Sequence, residues 1–459
     1  MSRNHSRMLV LLVFEFLLIS ACFVAALYIR FGPAAAEAVA GTNAWLKVLL
    51  SIAVVQCSFY LFDLYDYRRI RERAMLYLGI LQAFGLACIV LAIIFYGAPR
   101  LMLGRGVFLL SLALMLITMT CWRLLVSRLL GLPSLRERVL IVGTGENAIE
   151  LAREALERRE HGYDVVGFVG DDPKLVGQSL INPRVVGVVS DIEELVQRHR
   201  PARLVVAMGD RRGRLPLESL LNLKLRDSIA IEESSSFYER LTGKIRIQML
   251  RPSWLIFSTN SQGMRIYKQV RRVADVLLSI FGLSLSLPVM ALTAIAIKID
   301  SRGSIFYLQE RVGLQNKRFS IIKFRSMVTD AEQNGPVWAE EADPRITRVG
   351  RAIRKLRIDE LPQFINVIRG DMSFIGPRPE RPVFVNQLER AIPYYSQRHL
   401  VKPGLTGWAQ IRYQYAATIE DAAEKLQYDL YYIKNQSPIL DAIVIFETIR
   451  IVLFGRGAR

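Results

Sequence analysis

Two adjacent carboxylates, Asp359 and Glu360, follow a segment crowded with cations: Arg348, Arg351, Arg354, Lys355 and Arg357. Positive neighbours favour the charged form of an acid, so both carboxylates are expected to be ionised. An ionised aspartate can attack phosphorus or bind a hard cation such as Mg²⁺. Taken alone, an Asp-Glu pair is an ordinary surface feature, and only its surroundings can distinguish it. Downstream, Arg378 stands between Pro377 and Pro379, with Glu380 next. Proline fixes φ, so this guanidinium is carried on a restricted backbone suited to facing a phosphate or a base; a purely structural turn would use the same residues. Upstream, Lys323-Phe-Arg325 ends an apolar, strand-like stretch, and Asp343-Pro-Arg345 opens the basic segment. Ile346, Val349, Ile353 and Leu356 recur there at helical spacing. Such a helix suits the plane of an anionic membrane surface, or a solvated protein face.

The elements that must position these groups begin with an apolar region. Hydrophobic residues make up 52% of the 459, and much of the excess lies before residue 127. The formal net charge of +18 suits contact with anions. No zinc-finger or compact RNA-binding signature accompanies it, which points away from nucleic acid and toward anionic lipid or phosphorylated substrates. Cys22, Cys57, Cys88 and Cys121 lie in separate apolar runs, and the four histidines are scattered. Neither set forms a disulfide framework or a metal-ligand cluster.

Four apolar stretches, about 8–29, 44–66, 74–98 and 106–126, each approach the roughly 20 residues that cross a bilayer as a helix. The third has no charge from Ala74 to Pro99, whereas the first carries Glu15 and the second Lys47. The first run is long and lacks a small-residue cleavage site, unlike a signal peptide. Arg3 and Arg7 precede the first stretch, Arg68, Arg69, Arg71 and Arg73 follow the second, and Arg123, Arg128, Arg136 and Arg138 mark the exit of the fourth. The positive-inside rule then puts both ends of this four-helix unit in the cytoplasm.

Residues 135–250 change character. Short apolar strands at 138–142, 165–169, 185–189 and 204–208 alternate with helical patterns, which implies a parallel sheet. Gly143-Thr-Gly145, with Ala148 at the third small position, resembles the phosphate-binding turn of a dinucleotide fold. That signal is weak alone, and no clean ribose-binding acid ends the second strand, although Asp171 and Asp172 stand nearby. Nucleotide binding and a degenerate Rossmann-like scaffold both remain open.

A further uncharged run, Val276 to Ile297, is long enough to span, yet it is basic on both sides: Arg265, Lys268, Arg271 and Arg272 before, Lys298, Arg302 and Arg311 after. Both flanks read as cytoplasmic. A re-entrant helix at about 270–299 resolves the conflict; the alternative is a kinked spanning helix, which would leave the following basic region outside. Pro288 cannot donate a helical hydrogen bond, and Ser286 could satisfy a freed carbonyl, so the break is expected at these two residues.

Several ordered motifs carry a family resemblance. They are Ile305–Gly313, Lys323–Met327, Asp343-Pro-Arg345, Asp359-Glu-Leu-Pro-Gln363, Asn366, Gly370–Ser373, Gly376–Glu380 and Lys402-Pro-Gly-Leu-Thr-Gly-Trp-Ala-Gln410. Over about residues 265–455 the chain resembles the bacterial sugar transferase family of monotopic phosphoglycosyl transferases. With its leading spans and middle domain it looks like the large members that initiate exopolysaccharide or O-antigen assembly. Ser304, where many members have proline, and Ile411–Tyr415 depart from the pattern, away from the acid pair. The resemblance implies a membrane protein with a four-helix transmembrane unit over 1–130, an α/β Rossmann-like middle domain over 135–250, and an α+β catalytic domain over 265–459. It implies residence in the bacterial inner membrane, with the catalytic domain on the cytoplasmic face. Asp359 would attack the sugar-linked phosphorus of a UDP-sugar, releasing UMP, and undecaprenyl phosphate would then accept the phosphosugar. Glu360 would assist as proton acceptor or, with Asp359, as ligand of Mg²⁺. Lys323, Arg325, Asp343, Arg345, Arg357, Arg378 and Glu380 are the implied substrate-binding residues. Pro438–Phe454 could add an interfacial helix, and the membrane unit is compatible with a homodimer. Two other classes compete: a nucleotide-sensing membrane scaffold with an inactive transferase domain, and an NAD-dependent sugar-modifying enzyme built on Gly143–Ala148. The second lacks a Tyr-x-x-x-Lys pair in the middle domain.

Overall fold

The computed structural model describes residues 3–35, 44–62, 64–65, 73–101, 104–130, 136–158, 162–208, 216–226, 229–250, 261–329, 331, 343–413 and 418–454. The chain forms two compact units, residues 1–241 and 242–459.

The first unit opens with four apolar helices: α1 (Arg3–Phe31), α2 (Ala44–Leu61), α3 (Arg73–Gly97) and α4 (Arg105–Leu130). α1, α3 and α4 are long and apolar enough to cross a membrane; the apolar part of α2, Trp45–Leu61, is shorter. Ile19, Phe23, Val55, Phe59, Ala83 and Met119 pack between them. The charge that weakened the first stretch has a partner. Glu15 and Arg123 are fully buried and meet at 2.8 Å, while the Tyr65 hydroxyl donates to Glu15 at 2.8 Å. Arg123 therefore serves as an internal counter-ion rather than as the basic exit of the fourth span, because a buried carboxylate needs a cation beside it.

Next comes a five-stranded sheet of order β3-β2-β1-β4-β5, parallel throughout. Its strands are β1 (Glu137–Val142), β2 (Tyr163–Gly170), β3 (Val185–Val188), β4 (Arg203–Val206) and β5 (Ala230–Glu233). The helices are α5 (Glu146–Glu157), α6 (Ile192–His199), α7 (Leu217–Arg226) and α8 (Ser234–Thr242). Val139 and Ile141 face the layer built with α5, and Leu140 and Val142 face the layer built with α6 and α7. That alternation is the two-residue period of a strand buried on both faces. Gly143 adopts φ 130°, and a Cβ there would lie 2.9 Å from the Ala207 carbonyl carbon, so the turn after β1 admits only glycine. Asp172 caps the next turn by accepting from the Lys174 amide at 2.9 Å, so it is already engaged.

The second unit centres on α9 (Ser261–Asp300). Helical hydrogen bonding runs through the expected break at Ser286 and Pro288, and Pro288 lies inside α9. Proline removes one backbone donor, and in an apolar segment a continuing helix is the surest way to satisfy the other backbone groups. Ser286 donates to the Leu283 carbonyl at 3.2 Å. The hairpin of β6 (Phe306–Val312) and β7 (Arg318–Phe324) follows, then α10 (Arg348–Lys355), a 3₁₀ turn at Ile358–Glu360 and α11 (Gln363–Arg369). The remaining elements are β8 (Ser373–Ile375), α12 (Pro382–Ala391), β9 (Gly404–Thr406), α13 (Trp408–Arg412), α14 (Ile419–Lys434) and α15 (Pro438–Phe454). β8 and β9 pair in parallel. Ile245 and Ile247 join the core formed by Val312, Val385, Leu388, Leu426 and Leu430.

α9 is held at both ends by this one unit. Arg272 donates to the Val367 and Ile368 carbonyls at 2.6 and 2.8 Å, and Asp275 accepts from the Ser373 hydroxyl at 2.8 Å. At the other end Asp300 accepts from the Val349 amide at 3.1 Å. Leu277, Phe281, Leu285, Leu292, Ile295 and Ile299 leave a long apolar face exposed.

Candidate active site

The basic helix α10 starts at Arg348 rather than at Asp343, because Thr347 caps it by accepting from the Gly350 amide at 2.9 Å. Val349 and Ile353 pack with Ile297, Phe324 and Ile358, whereas Leu356 at the end of the same stripe stays exposed. Arg348, Arg351 and Lys355 stay exposed on the other side. Arg357 then takes the left-handed conformation, φ 55°, and ends the helix. The cost of that conformation for a side-chain-bearing residue is met by what it achieves: the chain turns sharply and both acids fall in one 3₁₀ turn.

The two acids are not equivalent. Glu360 accepts from the Arg378 guanidinium at 2.6 Å. Asp359, half-buried beside it, makes no hydrogen bond or ion pair to any described residue. Burial pushes the Asp359 carboxyl up, and the Glu360 charge pushes it further, to about 6. Burial acts on Glu360 in the same sense, but Arg378 and Lys323 outweigh it and hold that carboxyl below the ordinary range. The expectation that both acids feel mainly cations thus holds for Glu360 and reverses for Asp359. Lys323, on β7, is drawn down to about 8, chiefly by burial. Glu360 pushes Arg378 further up.

Lys323, Asp359, Glu360 and Arg378 therefore share one electrostatic site, with Arg354 and Arg357 acting on it. Glu380 lies at its edge, 3.4 Å from Arg311. The other sequence candidates sit elsewhere. Arg325 is buried and donates to the Ser301 and Arg302 carbonyls at 2.8 and 2.7 Å, so it fixes the exit of α9 instead of facing the acids. Asp343 and Arg345 form their own two-pronged pair, at 2.8 and 2.5 Å, and Arg345 also reaches the Ala331 carbonyl. That pair lowers the Asp343 pKa. Asn366 is fully buried and ties α11 to β7 through the Ile322 amide and the Ser320 carbonyl. Arg311 enters the site unforeseen, and its place in the Gln309-Glu-Arg311 run of an alternating strand was the available signal.

No group of three or more metal-ligating side chains occurs among the described residues. One free and one paired carboxylate fit Mg²⁺ nonetheless, since that ion is commonly held by one or two carboxylates plus substrate phosphates and water.

Residues 266–455 match the family described as bacterial sugar transferase, and residues 60–214 match one described as a CoA-binding domain. An Aeromonas hydrophila protein named UDP-N-acetylgalactosamine-undecaprenyl-phosphate N-acetylgalactosaminephosphotransferase is 49% identical over 221 residues, 48% of this chain and 52% of that protein. The undecaprenyl-phosphate glucose phosphotransferase of Komagataeibacter xylinus is 33% identical over 343 residues, 71% of this chain and 60% of its own length. The chain thus spans between half and two thirds of these two relatives. A Bacillus subtilis (strain 168) protein named as an uncharacterized sugar transferase is 37% identical over 188 residues, 41% of this chain and 89% of that protein.

Proposed function

Because the chain belongs to the bacterial sugar transferase family, we propose that it moves a sugar-1-phosphate from a UDP-sugar to undecaprenyl phosphate through Asp359. The asymmetry of the acid pair carries this reading: one carboxylate is clamped by Arg378, and its half-buried neighbour bonds to no described residue. An Asp359 oxygen attacks the sugar-bearing phosphorus. The P–O bond to the UMP portion breaks, and UMP leaves with the bridging oxygen. A phosphate oxygen of the lipid then attacks the same phosphorus, breaks the bond to Asp359 and restores the carboxylate. Glu360, fixed and negative, keeps the site's cations in place, and Lys323 and Arg378 lie where the diphosphate charge would be neutralised. Asp359 and Glu360 would hold Mg²⁺, which would supply further neutralisation of the donor's diphosphate and of the departing UMP.

The second unit supports a re-entrant placement of α9. One compact unit holds Arg272 and Asp300, so a spanning α9 would have to carry opposite ends of that unit to opposite faces of the bilayer. The exposed apolar face of α9 suits lipid on the side away from the unit. This arrangement brings a soluble donor and a lipid acceptor to one interface, on the cytoplasmic face of the inner membrane. The donor sugar follows the relatives: N-acetylgalactosamine is named in the one 49% identical, and glucose in the one 33% identical. The test is UMP release from UDP-N-acetylgalactosamine, UDP-glucose and UDP-galactose with Mg²⁺ and undecaprenyl phosphate. Asp359→Asn should lose at least about a thousandfold, as expected for removal of a covalent nucleophile. Full activity in that variant would remove Asp359 from the chemistry.

A further inference from the structure

The clamp on Glu360 is itself held. Every backbone carbonyl from Pro377 to Glu380 accepts a hydrogen bond. Pro377 accepts from the Gly404 amide at 2.9 Å, Arg378 from Arg398 at 3.0 Å, Pro379 from Arg311 at 3.0 Å, and Glu380 from the Val312 amide at 3.0 Å. The two prolines have no donor of their own and a fixed φ, so these contacts leave the segment little freedom. Three of the four donors belong to β6 and to the segment that includes β9. The bond to Arg378 comes from Arg398, a charged side chain only 7% exposed.

Arg398 Nη2 is shared between the Arg378 carbonyl and Asp429 Oδ2, which lies 2.9 Å away on α14. Its Nη1 donates to the Tyr395 hydroxyl. Asp429 is 2% exposed. A buried ion pair contributes little net stability over well-packed apolar residues of the same volume, so its presence here suggests a role beyond stability. The planar guanidinium fork can hold a carboxylate, a hydroxyl and a carbonyl at once in fixed directions, which a flexible ammonium does not reproduce.

We propose that the Arg398–Asp429 pair positions Arg378 on Glu360, and through that clamp keeps Asp359 poised for attack. Neither residue touches the reacting atoms; both act through the backbone of Arg378. The inference rests on the assignment of Asp359 and Glu360 as the reaction centre. If Arg398 lets the Arg378 backbone shift, Glu360 loses its nearest cation. The acid pair is then no longer held in the geometry that attack requires. Lys323 of β7, Arg354 of α10 and Arg357 of the turn also face the pair and are unchanged by the substitution.

The experiment is the steady-state kinetics of UMP release by the whole chain in membranes, with Arg398→Lys as the variant and thermal unfolding measured alongside. The expected result is a kcat lower by about tenfold or more, as misplacement of a catalytic constellation predicts, with KM for the UDP-sugar changed by less than about threefold. A variant that merely loses packing melts at lower temperature without that split between kcat and KM. Asp429→Asn should lower kcat in the same way. An active wild type with an unchanged kcat in a folded Arg398→Lys variant overturns the positioning role alone. A wild type that releases no UMP from any donor overturns the reaction assignment and the inference with it. If Arg398→Lys does not fold, Asp429→Asn decides; if neither folds, the pair serves the fold and the proposal falls.

Discussion

At the residue scale, the site works by making two adjacent acids different. Glu360 is held negative by Arg378, while Asp359 is raised to about 6 by burial and by that fixed negative neighbour. A raised carboxyl is protonated at higher pH than a free one, so the charged form of Asp359, which the proposed attack requires, is lost as pH falls through about 6. On the other side, Lys323 is lowered to about 8 and loses its charge as pH rises through that value. The rate of UMP release at limiting UDP-sugar should therefore be bell-shaped, with limbs near 6 and 8. Glu360→Gln removes the negative neighbour and should move the acid limb down. A profile flat from pH 5 to pH 9 would show, on the ordinary scale of catalytic titrations, that neither group governs the rate. Asp359, Glu360, Lys323 and Arg378 were legible in the sequence because each sits in a short motif. Arg398 and Asp429 were not, since an arginine in a loop and an aspartate on a helix face look like solvated charges until folding brings them under Arg378.

At the scale of elements, short apolar runs revealed β1 to β4, which lie mostly buried in the sheet. β5 escaped: Ala230–Glu233 is short, ends in two acids and is half-buried or exposed at the sheet edge. Periodicity located α10, but only the structure shows Val349 and Ile353 of its apolar stripe against Ile297 and Phe324. Basic flanks on both sides suggested that α9 returns to its starting face; in the structure Arg272 and Asp300, near its two ends, both bond within residues 242–459, and Pro288 lies between them. The topology can be read chemically. Lys268 and Arg302 are both exposed and flank the apolar run. In a background without Cys22, Cys57, Cys88 and Cys121, Lys268→Cys and Arg302→Cys should both resist a membrane-impermeant maleimide in intact cells. Both should label once the cytoplasmic face is opened. Labelling of one site from outside and of the other only from inside would establish a spanning helix.

At the scale of the whole molecule, the sequence separated an apolar leader, a sheet domain and a basic region, and the chain condenses into two units. What composition hid was the internal pairing of the leader's charges: Glu15 and Arg123, 108 residues apart, neutralise one another inside the helix bundle. The acid pair, the cations around it and the Arg398–Asp429 pair all belong to residues 242–459. That unit has its own apolar cores, around Val385 and Leu426 and around Trp408 and Tyr432. It also carries its own apolar anchor in α9. A relative of which 89% is covered by a match of 188 residues shows that a protein little longer than this region exists in the family. Residues 242–459, expressed into membranes, should therefore release UMP from the preferred donor within about tenfold of the full chain, because the distances that set transition-state stabilisation lie within the unit. The Asp359→Asn form of the fragment should release none. A fragment that melts cooperatively yet is inactive, while the full chain is active, would place part of the donor or lipid site in the first unit.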